Sequence, residues 1–138
     1  MADDVVRTMQ VAHHSILETI GQVQLHLRNY PKAKPLIREL HQKLLNHFGR
    51  QNDSFFAPFK ANIFFERNDL KMLEALEVDL KDIKIKLLVF YDQHSGEMDD
   101  TNARSFPLDF ADLSGFIQGR IKMENDYLFP LLEKTSVH

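Results

Sequence analysis

The stretch NDLKMLEALEVDLKDIKIKLLVFYDQH, residues 68–94, decides the fold. Its apolar residues Leu73, Leu76, Leu80, Ile83, Leu87 and Phe90 recur in alternating steps of three and four. That spacing keeps side chains on one face of an α-helix, whereas a strand would alternate every second residue. Most of the positions between are Lys, Glu or Asp, as on a solvated face. A long helix with a single apolar stripe must bury that stripe against other elements. The next position on the stripe is His94, a polar residue where a core residue is expected.

Working outward, three more segments carry the same period. A first helix is predicted from about Asp3 to Arg28, with Met9, His13, Ile16, Ile20, Val23 and Leu27 on one face. NYPKAKP, with Pro31 and Pro35, breaks it. A second helix is predicted to start near Pro35, a residue suited to a first turn. Its stripe is Ile37, Leu40, Leu44, His47 or Phe48, Gln51 and Phe55, and Pro58 is expected to kink or end it. Phe55, Phe56, Phe59, Phe64 and Phe65 then form an aromatic cluster read as core. The third helix begins at Asn68 or Asp69. HSGEMDDTNARS, from His94 to Ser105, reads as a loop. A fourth helix opens at Ser105 to Pro107, with Phe110, Leu113, Ile117, Arg120 or Ile121, Glu124, Leu128 and Leu131 on its stripe, and Pro130 bends its last turns. Four long helices without a strand pattern predict one all-α domain over residues 1–138, an antiparallel up-down-up-down four-helix bundle.

Composition narrows the chemistry. The chain has 138 residues and no cysteine, which excludes disulfides, thiolate metal sites and cysteine nucleophiles. MADDVVRTMQ is too polar for a signal peptide, and no apolar run approaches the ~20 residues of a membrane span. A cytoplasmic protein without membrane attachment is expected. The net charge of -3 argues against general nucleic-acid affinity. Lys32, Lys34, Arg38, Lys43 and Arg50 make the second segment basic, and Glu97, Asp99, Asp100, Asp109 and Asp112 make a later one acidic. These are solvated helix faces or the polar rim of a protein interface. There is no phosphate-binding loop, dinucleotide fingerprint or nucleophile–base pair, so a non-enzyme is expected.

The polar residues on the stripes carry the functional reading. His13, His47, Gln51, His94, Arg120 and Glu124 occupy core positions on four helices, and stacking the helices puts them at comparable depth. Buried polar groups must be hydrogen-bonded, paired or metal-bound. On the first reading, Arg120 and Glu124 form an interior ion pair, Gln51 bridges, and the histidines are satisfied as neutral rings. On the second, His13, His47, His94 and Glu124 hold a metal. Gln51 is a poor ligand, and the guanidinium of Arg120 repels a dication.

The blocks His13-x-x-Ile16, LLNHFGRQ (residues 44–51) and GRIKMENDYLFPLL (residues 119–132) resemble hemerythrin-like domains. The resemblance implies a histidine on the first helix, a His-x-x-x-Glu pair on the second, a histidine on the third, and a final His-x-x-x-Glu. His13, His47 and Glu124 match. Gln51 replaces a glutamate, Arg120 replaces the final histidine, and His94 lies late for the third helix. A second resemblance is to anti-sigma regulators of the Rsd/AlgQ type. It rests on Arg120-x-x-x-Glu124 running to Leu128, on Leu44 to His47, and on Tyr91-Asp92. Asn125 and Asn52-Asp53 depart from that pattern.

The leading expectation is therefore a non-catalytic regulator without a cofactor that binds a protein partner, by resemblance the primary sigma factor of RNA polymerase. Arg120, Glu124, Tyr91, Asp92, Gln51, Phe48 and Phe55 would form its interface or its interior polar layer. The alternative is a hemerythrin-like non-haem protein with a di-iron or mononuclear iron site that binds oxygen, nitric oxide or iron. A homodimer would need an exposed apolar stripe, for which Phe64, Phe65 and Tyr91 are candidates.

Overall fold

A computed structural model describes residues 2–51, 66–94 and 100–136, with side chains over 6–49, 66–94 and 103–133. The chain forms α1 (Ala2–Gln24), α2 (Tyr30–Gln51), α3 (Arg67–His94) and α4 (Asp100–Met123). A π-helical turn, Glu124–Leu128, joins α4 to α5 (Phe129–Ser136) as one continuous rod. No strand occurs among the described residues. The phenylalanine cluster around Phe55 and the segment 95–99 lie outside them.

Cross-contacts set the helix directions. Lys43 Nζ donates to Thr19 Oγ1 at 2.7 Å, and His13 meets His47, so α1 and α2 run antiparallel. Phe90 packs on Phe106 and Phe110, and Asp79 reaches Arg120 far down the same pair, so α3 and α4 are antiparallel too. The Tyr30 hydroxyl, at the start of α2, donates to the carbonyl of His94 at the end of α3. The result is an all-α antiparallel four-helix bundle. Its core is the set of stripes read from the sequence: every apolar stripe residue of α3 is buried, as are Met9, Ile16, Ile20 and Val23 on α1 and Phe110, Leu113, Ile117 and Leu128 on the last rod. Each such side chain contributes about 1.5–3 kcal/mol on burial, which lets the bundle tolerate a polar layer.

Three boundaries differ from expectation. α1 stops at Gln24, where the chain tightens: the N–H of His26 donates to the carbonyl of Val23. α2 starts at Tyr30 rather than near Pro35, because Asn29 C=O accepts from the N–H groups of Lys32 and Ala33, and Ala33 extends the buried stripe by a turn. Pro35 costs only one backbone bond close to the helix end. α4 starts at Asp100, five residues before the expected Ser105, and carries Pro107 inside it.

The π turn has a local cause. Pro130 has no N–H to give the carbonyl of Asp126, and an ordinary helix would press its ring on that carbonyl. The turn just before it widens, and the N–H of Phe129 donates to Glu124 C=O instead, five residues back. The extra residue lets Glu124, Leu128 and Phe129 all face inward.

Candidate metal centre

Glu124 stands at the centre of the polar layer with 0 % of its surface exposed. Its Oε1 lies 2.7 Å from His13 Nε2 and 2.8 Å from His47 Nε2. Its Oε2 accepts from Arg120 Nε at 2.8 Å. Each partner arrives from the helix on which the stripe placed it: His13 between Met9 and Ile16, His47 three residues past Leu44, and Arg120 one turn before Glu124. The His13 and His47 rings meet edge to face at 4.9 Å, and His13 stacks on Phe129 at 5.5 Å. Aromatic packing thus holds both imidazoles in orientation.

The electrostatics favour an ionised carboxylate. Burial pushes the Glu124 carboxyl up. Hydrogen bonds from His13 and His47, and the charges of His47 and Arg120, outweigh burial and hold it well below the usual carboxylate range. An ionised carboxylate only accepts, so both histidines present Nε2–H to it. Arg120 is 1 % exposed, and its Nη1 donates to Leu76 C=O at 2.7 Å and lies 3.2 Å from Asp79 Oδ2. Its charge is answered on both sides, as a buried guanidinium requires.

His94 is not part of this layer. It is buried at the far end of α3, where its Nε2–H donates to Asp109 Oδ2 at 2.9 Å and its ring packs on Phe90 and Phe106. Leu76 and Asp79 are the α3 residues level with Arg120, and fifteen residues of helix from Asp79 carry His94 about 22 Å away along the axis. The expected His94 ligand is therefore displaced by helix register. Its Nδ1 is buried without a hydrogen-bond partner among the described residues.

The remaining sequence candidates separate by depth. Phe48 is buried beside His47. Tyr91 is half-buried and stacks on His41 at 3.9 Å, and Asp92 is exposed. The side chains of Gln51 and Phe55 lie outside the described residues. Arg120, Glu124 and Phe48 face the interior, so they cannot touch a partner docked on the surface. Sequence reading missed Asp79 and Phe129. Asp79 neighbours the stripe residue Leu80, and Phe129 gains its place only through the π turn.

His13, His47 and Glu124 form a buried group whose potential ligand atoms all lie within 4.8 Å of one another. Two imidazole nitrogens and one carboxylate suit a single divalent transition metal such as zinc or ferrous iron. They fall short of the fuller histidine-rich set that the hemerythrin resemblance implies, since Arg120 stands where a second histidine of the last helix would be and His94 lies in another layer. Here Arg120 covers the second carboxylate oxygen.

Residues 4–132 match the hemerythrin HHE cation binding domain, and the chain belongs to that family. No curated protein and no solved structure matches it. The expectation of a protein without a cofactor is corrected by this family membership together with the buried His13–His47–Glu124 group, which point to a metal ion. Among the described residues no helix is long and apolar enough to cross a membrane.

Proposed function

We propose that this chain binds one divalent transition-metal ion through His13 Nε2, His47 Nε2 and Glu124, the ion taking the place of the protons that these two nitrogens otherwise share with the carboxylate. The observation that carries this reading is the convergence of two imidazole nitrogens from α1 and α2 on one oxygen of a fully buried carboxylate. Arg120 and the loss of His94 from the layer favour one ion over two. The guanidinium already neutralises Glu124, and a second dication would leave a large uncompensated positive charge in the core. A ferrous ion held by two histidines and one carboxylate keeps open positions for a small exogenous ligand. The chain's residues then hold and orient the ion, and the Leu and Phe side chains around them exclude water.

Elemental analysis after anaerobic loading with ferrous iron or with zinc tests this. About one ion per chain is expected, falling to none in His47→Ala, as for a site built from three protein ligands. A wild-type chain that stays metal-free under both conditions would overturn it.

A second reading is an Rsd-like protein that sequesters the primary sigma factor. What favours it is a row of exposed apolar residues, Ile85, Leu88, Val89 and Phe116, beside the acidic Asp109 and Asp112 on α3 and α4. A pull-down with purified sigma factor tests it, and no retention at micromolar concentrations would remove it.

A further inference from the structure

A groove on the surface reaches the buried centre at His13. His13 is 5 % exposed, and its ring forms part of the wall of a groove of about 480 Å³ between α1 and the π turn with α5. Gln10 and His14 come from α1, and Asn125, Phe129 and Glu133 come from the opposite side. The apolar groove on α3 and α4 reaches none of the three candidate ligands. The groove at His13 also carries metal-binding chemistry of its own, an imidazole on His14 and a carboxylate on Glu133, beside the polar amides of Gln10 and Asn125. His14 and Glu133 are both exposed and so in contact with solvent. A hydrated dication gives up its waters more readily when protein donors replace them stepwise, and of these groups the imidazole and the carboxylate are the ones suited to a transition metal. The widened π turn sets this wall: it places Phe129 against the His13 ring and Asn125 at the groove.

We propose that this groove is the path by which the metal ion reaches and leaves the centre, with His14 and Glu133 as transient ligands at its mouth. The inference rests on the metal-binding reading above. Residues of a path lower the barrier in both directions and leave the end states alone, whereas residues of the site change the affinity.

The test is stopped-flow absorption with cobalt(II) as the probe ion on the full chain: wild type, His14→Ala, Glu133→Gln and the double variant, with Asp112→Asn on the opposite groove as control. The double variant should slow association and dissociation together, by about tenfold, because losing the transient ligands raises the one barrier that both directions cross. The dissociation constant should stay within a factor of about two of wild type, and Asp112→Asn should change neither rate. Unchanged rates in the double variant would overturn the path while leaving the metal site intact. A weaker affinity with unchanged association would overturn it too, since it would make these residues part of the site. Failure of the wild type to take up cobalt(II) would overturn the metal-binding reading itself, and the path with it.

Discussion

Arg120 and Glu124 lie one turn apart on the same helix, both withdrawn from solvent, with Nε 2.8 Å from Oε2. Each is the other's nearest compensating charge in the core. His13 and His47 take the remaining carboxylate oxygen, and Asp79 with Leu76 C=O takes the outer edge of the guanidinium. The whole layer therefore behaves as one unit, in which removing any member leaves another exposed to the cost of an unpaired buried group.

Arg120→Ala should destabilise the metal-free protein by about 3 kcal/mol, because it strands the Glu124 carboxylate. The same variant should bind metal more tightly than wild type, since an ion then supplies the missing positive charge. Urea unfolding with and without zinc checks both halves. A variant equally stable in the two conditions would contradict this account of the layer.

Acid should weaken the fold through Glu124. Its folded carboxyl is held well below the ordinary carboxylate range, so the unfolded chain takes up a proton first as pH falls. The stabilisation is complete above the ordinary glutamate pKa of about 4.3 and is lost progressively below it, by at most about 1.4 kcal/mol per pH unit from this group. Glu124→Gln should flatten that part of the stability profile, as read from chemical denaturation midpoints across the acid range.

His94→Leu should leave metal stoichiometry unchanged, because the imidazole bonds to Asp109 at the far end of α3. Its cost in stability should be modest. The hydrogen bond it removes is worth about 1 kcal/mol, and the substitution also eliminates a buried Nδ1 that has no partner among the described residues. Metal analysis showing loss of the ion would return His94 to the ligand set.

His41 should titrate below the usual histidine range, since burial disfavours its charged form. Its ring lies 3.9 Å from that of Tyr91, nearly parallel. Tyr91→Ala should expose it and move its titration upward toward the ordinary value. Proton NMR of the imidazole resonances over pH reads this directly, and no movement would show that Tyr91 is not what buries His41.

The stripes of apolar residues, spaced three and four apart, were legible because helix periodicity is local: a residue's face depends only on its neighbours within a turn or two. They implied the all-α bundle and put His13, His47, Arg120 and Glu124 inside it before any contact was known. Helix ends were less legible. Asp100 to Ser105 reads as loop by composition, yet it continues α4, and Pro35 and Pro107 sit inside helices that packing extends past them.

Which interior polar residues meet was settled by the packing of the helices against one another. Depth along a bundle depends on where each helix starts and how it registers against its neighbours, and neither is written in the period of one helix. That is why His94, in phase with the stripe of α3, belongs to a different layer from His13, while Asp79, between stripe positions, reaches Arg120. The widened turn after Glu124 is likewise a product of the whole rod. Pro130 makes it locally favourable, and burial of Glu124, Leu128 and Phe129 together makes it stable.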